Sequence, residues 1–230
     1  MWPLAPVTKT RMSNSLVMLL GNVTIAQGML PGHIVYSVSV ARWEPNTRER
    51  LVRAALDLFA EQGYDATTVN EIAERAGVTK MTFFRHFPDK REVLFAAGQE
   101  IHSRILADAV AAAPDSATPL QAVAGALEAL SATFTEDRRE FSARLRVVIA
   151  AHSELRERAA SKHLGLTEAV TEALEKRGVA NLTASLAAEL GMRAFDRGFA
   201  QWADPACHQP LTELVRQALD DLRAATATLG

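Results

Sequence analysis

The chain has 230 residues, 48% of them hydrophobic and 23% charged, enough apolar material for one large or two small globular domains with an ordinary core. A formal net charge of −2 carries no global basic signature, so a nucleic-acid partner would have to show itself as local clustering. The single cysteine, Cys207, excludes an internal disulfide framework and a multi-cysteine metal site and fits a reducing compartment, so a cytoplasmic location is expected.

Residues 1–42 contain no acidic residue and no sustained period of 3.6. The stretch "SLVMLLGNVTIA", after Lys9 and Arg11, has the outline of a secretory core but is too short to span a membrane and lacks a small-x-small cleavage site. With Met12, Met18 and Met29 as candidate internal starts, the segment reads as an over-extended frame or a loosely ordered arm. Residues 1–43 are therefore assigned to a poorly ordered extension without a packed role.

Charge and helical periodicity begin at Glu44. Leu51, Ala54, Ala55, Leu58 and Phe59 recur at three- and four-residue steps and Gly63 stops the run, which predicts a helix over 47–62. Thr68 with Glu71 forms a capping box ahead of a second helix that turns Ile72, Ala73 and Ala76 inward. Gly77 closes it, Val78 plugs the turn, and Thr79 caps a third helix over 80–86, ended by Pro88. Asp89 with Glu92 repeats the capping pattern and predicts a long fourth helix from Lys90 to about Ala112.

Two short helices joined by a tight glycine-containing turn make a helix-turn-helix, assigned here to 44–92. On the third helix Phe83 and Phe87 share the inward face, while Lys80, Met81, Thr82, Phe84 and Arg85 occupy the opposite one. Cations, a hydroxyl and apolar groups together suit a DNA major groove, where cations meet phosphates or guanine and apolar groups meet thymine methyls.

The stretch "TRERLVRAALDLFAEQGYDATTVNEIAERAGVTKMTFFRHFPDKREVL", Thr47 to Leu94, resembles the DNA-binding domain of TetR-type transcriptional regulators almost position for position. The pieces "ALDLFAEQGYDATTV", "IAERAGV" and "FFRHFPDK" carry the likeness. The resemblance implies that Thr67 and Thr68 and the ammonium of Lys90 hold phosphates, and that Lys80, Met81, Thr82 and Phe84 face the groove, with Thr79, Arg85 and His86 beside them. Members of that family usually carry a tyrosine where Phe84 stands, so this chain lacks a hydroxyl that commonly reaches a phosphate. The resemblance further implies a double-stranded DNA operator, a homodimer and a small-molecule effector.

The remainder, 93–230, is expected to be a helical effector-binding and dimerisation domain, which makes the fold class all-α. Helices are predicted over about 119–134, 138–151, 154–177, 183–203 and 211–228, with Thr118, Pro119 and Gln121 starting the first and Gly178 ending the third. Within it "RLRVVIAAHSELRERAASKHLGLTEAVTEALEKRG" resembles the subset of these regulators described as binding acyl-CoA-like ligands. The expected ligand set is His102, Phe134, Phe141, Arg144, Arg146, Met192, Phe195 and Phe199, with Arg144 and Arg146 at a cavity mouth. Each aromatic could equally be ordinary core, and the stripe Phe195, Phe199, Trp202 could be a dimer contact. The predicted fourth helix would then be one rigid rod from DNA to cavity.

Enzymatic motifs are missing: there is no G-x-S-x-G, no phosphate-binding glycine loop, no H-E-x-x-H, and no histidine pair at i and i+4 among the six histidines. No enzyme activity, cofactor, metal or membrane association is expected. The alternative from another class is a helical interaction module whose helix-turn-helix no longer binds DNA.

Overall fold

The computed structural model describes residues 23–30, 33–40, 47–95 and 98–228, and for the first two of these segments the backbone alone. It divides into two compact units, residues 1–46 and Thr47–Gly230.

In the first unit β1 (Val23–Leu30) and β2 (His33–Val40) pair antiparallel, from Val23 opposite Val40 to Leu30 opposite His33. This corrects the expectation of a loose arm for that part of 1–43; residues 1–22 and 41–46 lie outside the described residues. The physical reason is legible in hindsight. Val, Ile, Thr and Tyr favour extended backbone.

From Thr47 on, every described element is helical: α1 (Thr47–Gln62), α2 (Val69–Arg75), α3 (Lys80–His86), α4 (Gln99–Ala112), α5 (Pro119–Ser131), α6 (Arg139–Ala151), α7 (Ser153–Lys176), α8 (Asn181–Trp202) and α9 (Leu211–Ala227), with 3-10 turns at Arg91–Leu94 and Glu136–Arg138. The all-α class therefore holds for this unit. Its short helices depend on their ends. Gly63 and Gly77 take positive φ of 87° and 67°, conformations that a side chain would strain, and so stop α1 and α2. Thr68 accepts from the Glu71 N–H while Glu71 Oε2 accepts from the Thr68 N–H, the reciprocal box expected from sequence. Thr79 caps α3 by accepting from the Thr82 N–H at 3.2 Å.

The expected continuous helix over 90–112 is not formed. Asp89 Oδ1 accepts from the Glu92 N–H at 2.9 Å, but that cap starts only the 3-10 turn, and α4 begins at Gln99 with Gly98 as its N-cap. A Cβ at Gly98 would lie 2.9 Å from Cε1 of His102, on α4 itself, and 3.3 Å from Nζ of Lys162 on α7, so both side chains crowd this junction. Residues 96 and 97 lie outside the described residues.

Two hydrophobic cores result. The first gathers Leu51, Phe59, Ile72, Phe83 and Phe87 with Val93, Leu94 and Phe95, and takes in Val148 of α6 and Leu155 of α7. The expected domain boundary at 92/93 thus falls inside a core. The second lies among α4, α5, α7, α8 and α9, with Leu106, Leu127, Leu174, Met192 and Trp202 fully buried. There α8 runs along α9, α4 packs on α5 and α7, and α5 on α8 and α9.

Candidate nucleic-acid interface

The exposed face of α3 is assembled by burying the opposite one. Phe83 is inaccessible to solvent and Phe87 nearly so, their rings 5.5 Å apart, which turns Lys80, Met81, Phe84 and Arg85 outward. Met81 is 74% and Phe84 48% exposed, high for side chains of their size. No carboxylate pairs with Lys80 or Arg85 among the described residues, and the 79–88 segment contains no acidic residue. Local positive charge thus sits around an apolar pair on one short helix, although the whole chain is slightly acidic.

Other residues expected here are engaged inside the protein. Thr67 is buried, donates its hydroxyl to the Gly63 carbonyl at 2.8 Å and accepts from Gln62 Nε2, so it offers no hydroxyl outward. The Thr68 hydroxyl donates to Glu71 Oε2 at 2.7 Å while capping α2. Lys90 is engaged in the same way. Its ammonium donates to the carbonyls of Tyr64 at 2.7 Å and Thr67 at 2.9 Å and stands 4.1 Å from the centre of the Tyr64 ring. It fastens the loop before α2. The hydroxyls of Thr79 and Thr82 lie 3.0 Å apart, and the half-buried His86 lies against Phe87.

The expected ligand residues divide between the two cores. His102, Phe134, Phe195 and Phe199 come together: the Phe134 ring lies 5.5 Å from His102, 5.7 Å from Phe195 and 5.3 Å from Phe199. Met192 belongs to the same core. Phe141 instead packs on the first core, so it does not meet Met192 and Phe199. Arg144 pairs with Asp57 of α1 at 2.6 Å, and Arg146 donates to the Ala200 carbonyl at 2.9 Å, so the two cations do not open onto a shared mouth. Trp202 is fully buried, which removes it from any dimer contact. Two surface depressions, of about 390 Å³ beside Cys207 and Leu214 and about 280 Å³ beside Arg91 and Glu157, are lined by other residues.

Sequence reasoning missed Lys162 and Ser131, since neither stands in a motif. Lys162 donates to the Phe95 carbonyl at 3.2 Å, and burial, with the neighbouring Arg158 charge, lowers its pKa to about 8. Burial, reinforced by Lys162 and Arg138, likewise lowers His102 to about 4, so it is neutral at physiological pH. The buried Ser131 hydroxyl finds no protein partner.

Comparison with known proteins follows the same division. Residues 51–97 match the family described as bacterial regulatory proteins, tetR family. The chain is 46% identical over 84 residues to the HTH-type transcriptional regulator TcmR of Streptomyces glaucescens, covering 36% of this chain and 37% of that one. It is 39% identical over 80 residues to the HTH-type transcriptional regulator BetI of Rhizobium meliloti, covering 35% and 39%. The chain thus spans less than two fifths of these curated relatives. A solved TetR-family regulator of Syntrophomonas wolfei is similar over 79% of this chain and 95% of its own, with a TM-score of 0.56 at 17% identity. The fatty acid degradation regulator FadR of Bacillus halodurans covers 78% and 95%, with a TM-score of 0.50 at 21% identity. At those identities the likeness concerns the fold.

Proposed function

We propose that this chain, a TetR-type regulator by its DNA-binding domain, is a homodimeric transcriptional repressor that leaves an inverted-repeat operator when a small apolar effector binds. The observation that carries the reading is the outward face of α3, where Lys80 and Arg85 have no ion-pair partner among the described residues and Met81 and Phe84 stand in solvent. A helix presenting two unneutralised cations and two apolar groups complements a major groove and its phosphates. Dimerisation would present two such helices, with half-sites about one helical turn apart. Leu182 and Leu186, one turn apart on α8 and 71% and 57% exposed, supply apolar surface for a second copy.

The effector reading rests on the cluster of His102, Phe134, Phe195 and Phe199. Because Arg144 and Arg146 are engaged elsewhere, a neutral hydrophobe fits this core better than an acyl-CoA, whose phosphates would need those cations. Coupling would run through α7, which places Leu155 in the first core and Leu166, Val170 and Leu174 in the second, and an effector shifts the operator equilibrium only by its preference for one arrangement.

The test is selection of bound fragments from genomic DNA, followed by affinity against salt. Lys80→Ala and Arg85→Ala should each lower the slope of log affinity on log salt by about 0.9 if each neutralises one phosphate. Retention of no fragment would favour the interaction-module alternative. Neutral hydrophobes and a long-chain acyl-CoA, titrated into the complex in parallel, decide the effector class: release by the thioester alone would reinstate the acyl-CoA reading.

A further inference from the structure

We infer that Met81 and Phe84 are specificity determinants that read the 5-methyl groups of thymines in each operator half-site. The inference rests on the DNA-binding reading above and adds which bases are chosen and by what chemistry. Phe84 has no group able to donate or accept a conventional hydrogen bond, so it can neither hold a phosphate nor read a polar base edge. Its ring is not a loose side chain, because it stands edge-on against the buried Phe83 at 5.5 Å and 84°. Met81 precedes it by three residues, which places the two on one helix face, and its flexible thioether can follow the contour left beside the ring.

The polar groups of α3 are arranged around this pair rather than within it. The hydroxyls of Thr79 and Thr82 are already in contact with one another at 3.0 Å, and the Thr82 N–H is capped by Thr79. Lys80 and Arg85 flank the pair with their charges in solvent. On the major-groove edges of the four base pairs the one apolar group that projects toward the protein is the thymine C5-methyl; cytosine has only a hydrogen at that place, and the readable sites beside them are hydrogen-bond donors and acceptors. An apolar pair held between two cations therefore matches thymine beside phosphate, and would leave unpaired polar edges at G·C pairs.

The experiment replaces thymine by deoxyuridine, one position at a time, in an operator selected from amplified DNA. Such DNA carries no methylated cytosine, and uracil keeps the pairing and hydrogen-bonding pattern while removing only the methyl. At the positions read by Met81 and Phe84, affinity should fall about four-fold per methyl, and about fifteen-fold when both half-sites are changed, from the usual worth of one buried methyl-sized group. Met81→Ala and Phe84→Ala should each lose part of this penalty, and Met81→Leu should keep it. Equal affinity for every uracil-substituted operator, or an undiminished penalty in both alanine variants, overturns the inference while leaving DNA binding intact. Failure of the wild-type protein to retain any DNA would remove the regulator reading itself, and this inference with it.

Discussion

The first core buries Phe59, Tyr64, Phe83, Phe87 and Phe95 among its aliphatic residues, and its short helices are closed by hydrogen-bonded caps; the fully buried part of the second is mostly alanine and leucine, with Trp202, on helices of up to 24 residues. In the latter Ala122, Ala126, Ala184, Ala188 and Ala194 let the helices approach closely. Helices of seven residues cannot sustain themselves by propensity, so α2 and α3 depend on turn chemistry and on one buried face. Long helices depend on packing along their whole length and tolerate plain ends. One core therefore displays fixed side chains outward, and the other holds long helices against one another.

The sharpest way to break this comparison is at Leu155, which belongs to α7 by sequence but to the first core by burial, with no exposed surface. Leu155→Ala should destabilise the protein by about 2–5 kcal/mol, the usual cost of such a cavity, in urea unfolding followed by circular dichroism. A cost below about 0.5 kcal/mol would mean that α7 only rests against the first core.

A smaller effect is expected within the second core. A Cβ at Gly198 would lie 2.7 Å from the Val215 backbone nitrogen and 2.9 Å from its Cα, atoms that cannot swing aside as a side-chain tip can. Gly198→Ala should cost about 1–3 kcal/mol by forcing α8 from α9, while the folded fraction keeps its DNA affinity at low temperature. Full thermal stability in this variant would show that the two helices are less tightly joined than the structure has them.

The smallest effect belongs to the ion pair between Arg144 and Asp57, 45% and 38% exposed, which ties α6 to α1. Arg144→Ala should cost about 0–1 kcal/mol, as exposed pairs do. A double-mutant cycle with Asp57→Ala isolates the pairwise part, and a coupling that did not weaken in high salt would contradict the assignment.

The same contrast explains what the sequence made legible. Gly63, the Thr68–Glu71 box, Gly77 and the Thr79 cap are local signals, and α1 and α3 stand where those signals placed them. The break between the 3-10 turn and α4 was not legible, because Asp89 with Glu92 caps a 3-10 turn as readily as a helix, and the packing of α7 at Gly98 is a long-range fact. The internal contacts of Lys90 were hidden for a related reason: the carbonyls of Tyr64 and Thr67 that converge on its ammonium come from far back in the chain, beyond α2 and α3. In the second core the aromatic partners of Phe134 come from α4 and α8, a convergence no periodicity encodes, and Phe141, expected in the same ligand set, packs on the first core. The paired strands at 23–30 and 33–40 left a readable trace in their β-branched residues, a pattern that has no helical period.

The presence of Val148 and Leu155 in the first core also orders events in time. Synthesised from its amino end, the chain delivers α1, α2 and α3 well before the two residues that complete the core beneath them. A nascent chain that has reached only α5 carries every recognition side chain on an unclosed core, with apolar surface awaiting α6 and the start of α7. The proposed competence for the groove would then mature late in translation, and a prematurely terminated product would be a substrate for chaperones or proteases.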